Sequence, residues 1–342
     1  MDLGAVRCSM NSTKLSRPMI LRRAAATILL SSAALMGHPA PGDSMTQAAA
    51  RPALAERLGF KPTDRVLIIN GDDAGVSHAS VAATTDALEH GLMTCATIMT
   101  PCPWFPEIAE YARAHPAVDF GLHLTHTSEW KAFKWGPVAS RSDVPGLVDP
   151  QGYLWPDVQS VYKNATPEQA YLEARAQIKK ALAAGVDVTH LDSHMGALQY
   201  DDRYFQVYRR LGKEFDLPLR MGSQEVLAAG GGGHQRGQLD SDGTICPDYL
   251  IHGGRVKDEQ IADYWKRMIA DLKPGVTELY IHAALAGEEM RRITNSWKDR
   301  AAEHELFTSD AEIRRILESQ NVKRIGYRAL RDLQRKARNG RS

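Results

Sequence analysis

Two carboxylates stand side by side at Asp72-Asp73, and three later segments bring imidazoles into similar settings. His123 lies within VDFGLHLT, His190 and His194 flank Asp192 in THLDSH, and His282 ends VTELYIH. Adjacent carboxylates repel, so a cation or strong donors must offset them. An aspartate with two histidines is a ligand set for one divalent cation that leaves positions open for water and substrate. Such a cation lowers the pKa of its water and polarises a carbonyl under attack. A second carboxylate beside it can act as general base, and an imidazole opposite can protonate a leaving amine. These parts describe hydrolysis of an amide or an ester without naming the substrate. Taken singly, each segment reads as a turn, a helix cap or a hydrogen-bonded core histidine. Recurrence at four strand ends is what makes independent coincidence a poor account.

The elements that must position these residues alternate from Arg65 onward. RVLIIN (65–70) is a short β-rich run, and Ser77 caps a helix running to about His90, with Gly91 as its stop. Strand-like runs follow at 93–100, 118–125, 186–191, 217–221, 249–252, 276–282 and 322–327. Between them lie helical patterns at 106–115, 167–184, 204–215, 258–272, 297–306 and 309–320, and a basic helix closes the chain. Residues 126–165 show no periodicity and read as an excursion over one end of the fold. Gly230–Gly233 form a loop that also carries His234 and Arg236. Repeated βα units without a linker predict an α/β fold, a (β/α) barrel of about seven strands, in which active sites form at the strand C-terminal ends.

Residues 1–50 read differently from the rest. Arg17, Arg22 and Arg23 precede an apolar run at 24–35, and Ala48-Ala49-Ala50 ends the segment, the order of an export signal. The run is short for a bilayer span, so the mature chain, 51–342, is expected as a single domain with no stable membrane insertion, periplasmic or secreted. Among the 342 residues, 42 basic side chains balance 41 acidic ones, which leaves no electrostatic footprint for nucleic acid. Cys95, Cys102 and Cys246 remain after the leader, with no CxxC pair for a thiolate zinc site. Cys95 and Cys102 could pair in an oxidising compartment but read first as two buried thiols. Six tryptophans are spread along the chain and read mostly as core or rim aromatics.

The same residues resemble a family. Asn70-Gly71-Asp72-Asp73-Ala74-Gly75 is similar to the N-A-D-D-F-G opening of the YdjC-like (ChbG-like) carbohydrate deacetylases. Gly121-Leu122-His123-Leu124, Thr189-His190-Leu191-Asp192-Ser193-His194 and Glu278-Leu279-Tyr280-Ile281-His282 resemble their later motifs, in order and spacing. The resemblance implies a barrel related to the polysaccharide deacetylases, with one divalent metal, magnesium or zinc, held by Asp73, His123 and His194. It implies Asp72 as base and His282 as general acid, a small N-acetylated carbohydrate as substrate, and a possible homodimer. Ala74, Met195-Gly196 and Ala283-Ala284 depart from the family's usual residues and reshape the pocket beside the metal.

Secondary candidates follow from position. Arg220 ends LPLR on the same rim, placed either to contact the sugar or to make a structural salt bridge. Asp192 is placed to orient a ligand imidazole or to cap a turn. His126 and His190 read as structural or supporting residues, His234 as a loop residue, and Glu288-Glu289 with Arg291-Arg292 as a solvated face. Two alternatives stay open: a metal-dependent hydrolase of a phosphoester or non-sugar amide, and a non-catalytic glycan-binding relative.

Overall fold

A computed structural model describes residues 53–251, 255 and 257–340; the leader read at 1–50 lies outside them. Seven parallel strands form one sheet: β1 (Arg65–Ala74), β2 (Cys95–Ile98), β3 (Phe120–Leu124), β4 (Val188–Ser193), β5 (Tyr249–Ile251), β6 (Gly275–Ile281) and β7 (Lys323–Arg324). Their order is β4-β3-β2-β1-β6-β5, with β7 paired to the start of β1. The two ends of this order meet through the 217–221 segment. Leu191 N donates to Pro218 O, Arg220 N to Leu191 O, and Leu219 N to Ile245 O, just before β5. These bonds carry the hydrogen bonding from β4 through this segment to the residues that lead into β5, in keeping with a (β/α) barrel. Of the strand expected at Leu217–Met221, only a bridge from Leu191 to Leu219 forms, because the segment bonds each neighbour for too short a length.

Strands β1–β4 are buried on both faces, as a parallel sheet covered by helices requires, while β5 and β7 are only partly covered. Alternate residues of β1 serve different clusters. Leu67 and Ile69 join the large core that includes Ala83, Ala87 and Ile108 of the surrounding helices. Val66 and Ile68 pack in a second cluster with Tyr327 and Leu330. The latter two belong to the C-terminal helix Tyr327–Asn339, whose Tyr327 ring stacks on His190 at 3.7 Å between centroids. The basic closing helix thus buries one face against the interior.

Helix starts follow their caps. Ser77 accepts from Ser80 N to begin His78–Glu89, and Thr166 accepts from Gln169 N to begin Pro167–Ala183, with proline at its first position. The helix expected from 258 begins instead at Ile261, because Asp258 adopts φ +65°. The glycine run is flanked by two helices that periodicity does not reveal, Gln224–Ala229 and Gln235–Asp242. Residues expected as a solvated face form a short helix, Glu288–Ile293, in which Glu289 caps Ala79 N while Glu288 pairs with Arg292 at the surface. The 126–165 excursion is pinned by Thr127–Trp155 and Val148–Leu154 bridges and by a helix at Val158–Asn164. Cys95 and Cys102 are buried free thiols. No described helix is long and apolar enough to cross a membrane.

Candidate metal centre

β1 runs on through Asp72 and Asp73 rather than ending before them. Neighbouring strand residues normally point to opposite faces. Here the pairing with β2 shifts register between Gly71 and Ala74, and Asp73 adopts φ +64°. The bulge re-aims the pair, so both carboxylates reach one rim. Each faces its own guanidinium. Arg220 grips Asp72 with Nη1 to Oδ2 and Nη2 to Oδ1, both at 2.7 Å, while Arg300 Nη2 lies 2.8 Å from Asp73 Oδ2.

Asp73 Oδ1 is left buried without a hydrogen-bond partner. It lies 3.4 Å from His123 Nε2 and 3.6 Å from His194 Nδ1, and those two nitrogens are 3.1 Å apart. The far side of each ring is committed. His123 Nδ1 donates to Asp192 Oδ1 at 2.6 Å, and His194 Nε2 donates to Glu129 Oε2 at 2.9 Å. A carboxylate can only accept, so in their neutral forms both rings present an inner lone pair; with no cation there, the raised pKa of His123 puts a proton in that place. Two lone pairs and an unpartnered carboxylate oxygen facing one point repel unless a cation or proton lies between them. Donors bound at ordinary zinc distances stand roughly 3–3.5 Å apart, so the three observed separations fit one ion. Carboxylate-backed histidines are the usual support for such ligands. The other cluster of candidate donors, Asp72, His123 and Asp192, is already bridged by the His123 proton and by Arg220, which also lies 2.9 Å from Asp192 Oδ2.

The electrostatics agree with this division. Burial alone would raise the Asp72 pKa, but Arg220 and His123 outweigh it and hold the carboxyl down at about 2. Burial likewise opposes ionisation of Asp73, yet Arg300 and three histidines keep it far below the usual carboxylate range. Burial pushes His123 down, and Asp192 and Asp72 reverse that, raising it to about 9. Under the site, Glu278 accepts from Arg220 Nε at 2.7 Å and from the Tyr327 hydroxyl. A continuous line of bonds therefore joins the C-terminal helix to Asp72.

His282 follows β6 and lines the same cleft as Asp72 and Asp73, an open space of about 950 Å³. Its backbone N–H donates to Glu303 Oε2 at 2.7 Å, and burial holds its pKa below the usual value. Arg220 touches the cleft, but its guanidinium is taken up by Asp72, Asp192 and Glu278. His126 donates to Ala170 O, and His190 is packed against Tyr327; neither borders the cleft. His234 contacts Asp202 Oδ1 at 3.2 Å at the outer edge.

Sequence reasoning does not single out Glu129 or Arg300. Glu129 sits in the aperiodic excursion, beside the buried Trp130 over which the Arg300 guanidinium lies. Arg300 rides the helix Trp297–Ser309 among other charged residues. No local signal marks either: Arg300 answers the buried charge at Asp73 Oδ2, and Glu129 accepts from the outer nitrogen of His194.

The sequence pattern of the YdjC-like proteins matches residues 66–319, about three quarters of the chain, motifs and donors included. The chain belongs to this family. A Thermus thermophilus member named carbohydrate deacetylase is 32% identical over 82% of this chain and 98% of its own length. Another from Thermoanaerobacter pseudethanolicus, with the same name, is 25% identical over 78% of this chain and 100% of its own. A solved structure from Enterococcus faecalis, named as a candidate cellobiose-phosphate cleavage protein, has the same fold with a TM-score of 0.67. It shares 25% identity and covers 78% of this chain and 99% of that one. In this YdjC-like chain the motif residues and the donor cluster coincide.

Proposed function

We propose that this YdjC-like protein is a metal-dependent hydrolase that removes the acetyl group from an N-acetylated amino sugar. The observation that carries the reading is the convergence of Asp73 Oδ1, His123 Nε2 and His194 Nδ1, all otherwise unclaimed, beside Asp72 and His282 in one cleft. The names of the Thermus and Thermoanaerobacter relatives support a carbohydrate amide as substrate. Two imidazoles and a carboxylate suit zinc by ligand type, with magnesium as the second choice. When bound, such a cation acidifies water and polarises the acyl carbonyl.

The side chains supply the rest. Asp72 Oδ1 already accepts from Arg220 and Asn70, whereas Oδ2 accepts only from Arg220 and keeps a lone pair. Asp72 Oδ2 takes the proton of the attacking water, and the Arg220 grip holds that oxygen in place as the charge changes. His282 in its protonated form delivers a proton to the departing amine nitrogen; burial lowers its pKa, which makes that form a stronger acid and a smaller fraction near neutral pH. Glu303 fixes the backbone that carries His282. The leader-like residues 1–50 support export, which makes an envelope or extracellular glycan the substrate.

The test is acetate release from N-acetylated mono- and oligosaccharides before and after chelation, followed by separate return of zinc and magnesium. Release that stops with chelator and returns with one ion is expected. Release indifferent to chelator overturns the metal, and no release from any sugar overturns the deacetylase.

A further inference from the structure

The cleft extends well past the donors, and its volume lies near the upper end for small-molecule sites. Its lining includes Met195, Gly196 and Tyr200, together with Val226, Leu227 and the glycines 230–232. Tyr200 is 73% exposed, Val226 50% and Met195 48%. Exposed apolar side chains gathered around one opening mark a binding surface.

The backbone is shaped to hold them there. Met195 and Gly196 both adopt left-handed φ, +54° and +67°. The Tyr200 ring lies so close against Gly196 that a Cβ there would sit 2.3 Å from its Cε2. The glycine run in the same lining offers bare backbone; a Cβ on Gly231 would meet nothing within 4 Å. The lining thus combines an exposed aromatic ring with apolar side chains and a stretch of bare peptide groups. A pyranose has the matching surfaces, a C–H face for the ring and hydroxyls for peptide groups.

Charge narrows the choice further. The cleft is lined by Asp72, Asp73, Glu129, Asp201 and Asp202, against three arginines. Arg220 and Arg300 are engaged deep in the floor, and Arg203 is held in two bonds by Asp201. Were Arg203 to swing free, Asp201 and Asp202 would still outnumber it. This part of the cleft is therefore unsuited to a phosphate.

We propose that this part of the cleft is a subsite for an uncharged sugar unit linked to the one being deacetylated, with Tyr200 as its stacking platform, and that it rejects a phosphorylated unit. The proposal rests on the sugar reading given above. It separates this chain from a use on phosphorylated disaccharides such as the one in the Enterococcus faecalis protein's name.

Binding without turnover tests it. The Asp72→Asn protein, loaded with zinc, is titrated by calorimetry with N-acetylglucosamine, its β-1,4-linked disaccharide and the 6-phosphate of that disaccharide. The neutral disaccharide is expected to bind about tenfold more tightly than either other ligand, the scale of one ring contact. A further Tyr200→Ala change is expected to bring the disaccharide to the level of the monosaccharide without moving monosaccharide or zinc affinity, while Tyr200→Phe keeps the preference. Equal affinities, a phosphorylated ligand that binds as well as the neutral one, an inert Tyr200→Ala, or no sugar binding at all overturns the subsite. Acetate release by the unaltered enzyme is read separately, so a preference seen without any release sinks the deacetylase and leaves the subsite standing.

Discussion

Arg300 places Nη2 2.8 Å from Asp73 Oδ2 while its Nε donates to Ser296 Oγ at 3.1 Å. The guanidinium is thereby fixed from its own helix, and Asp73 is left with one oxygen, Oδ1, to face His123 and His194. Loss of this grip frees the carboxylate to rotate and exposes a buried charge to an empty space. Arg300→Gln is expected to weaken zinc binding by about 10- to 100-fold, as loss of a ligand's supporting partner typically does. Competition with a chromophoric chelator measures it. Unchanged affinity would show that Arg300 neutralises charge without orienting the ligand.

The strands and the motif histidines were legible in the sequence because each depends on neighbours along the chain. RVLII is buried on both faces and so reads as an apolar run, and Ser77 sits directly before the helix it caps. Arg300 and Glu129 were not legible, since their partners, Asp73 and His194, are brought to them only by the tertiary fold. Repulsion within Asp72-Asp73 did signal a need for cations, and the structure meets part of it with Arg220 and Arg300. The bulge that turns Asp73 to the rim also escaped, because a left-handed aspartate has no fixed sequence signature.

Asp72 offers the clearest separation of chemistry from binding. Its carboxylate points to Arg220 and Asn70 rather than into the donor trio. Asp72→Asn keeps the shape but puts an amide where Oδ2 must take a proton. Acetate release is expected to fall by about 10²–10⁴-fold, the usual contribution of a positioned base. Zinc affinity, measured on the same protein, is expected to change little. Activity within a few-fold of the parent would remove Asp72 from the proton path.

Glu303 links pH to stability. Burial raises its pKa from 4.5 to about 7, against donation from the His282 backbone and Trp265 Nε1. Between those values the folded state binds the proton that the unfolded state has lost. Stability therefore falls as pH rises from about 4.5 through 7, by at most roughly 3 kcal/mol for this group. Glu278, also raised to about 7, acts in the same direction. The buried histidines His126, His190 and His282, whose pKa values are lowered, act in the opposite direction below about pH 6.5. The Glu303 share is therefore read as the difference between parent and Glu303→Gln in urea unfolding at pH 5 and pH 8, the parent losing more or gaining less. A slope identical in the variant would mean that Glu303 stays ionised throughout.

Gly121 tests how tightly the strands sit on the closing helix. A Cβ at this β3 position would lie 2.5 Å from His190 Cε1 and Nδ1. His190 has nowhere to retreat: its ring stacks on Tyr327 with an interplanar angle of 6°, and Nδ1 lies 3.0 Å from Thr189 Oγ1. Gly121→Ala must therefore move backbone or break the stack, a cost of about 1–3 kcal/mol. In a domain of this size that lowers the melting temperature by several degrees, at roughly 2–4 °C per kcal/mol. His190→Ala alone is also destabilising, since it opens a cavity beside Tyr327. The double variant removes the obstruction, so its loss is expected to be smaller than the sum of the two single losses. Strict additivity in calorimetric melts would show that Gly121 is required for its backbone and not for the close approach of His190.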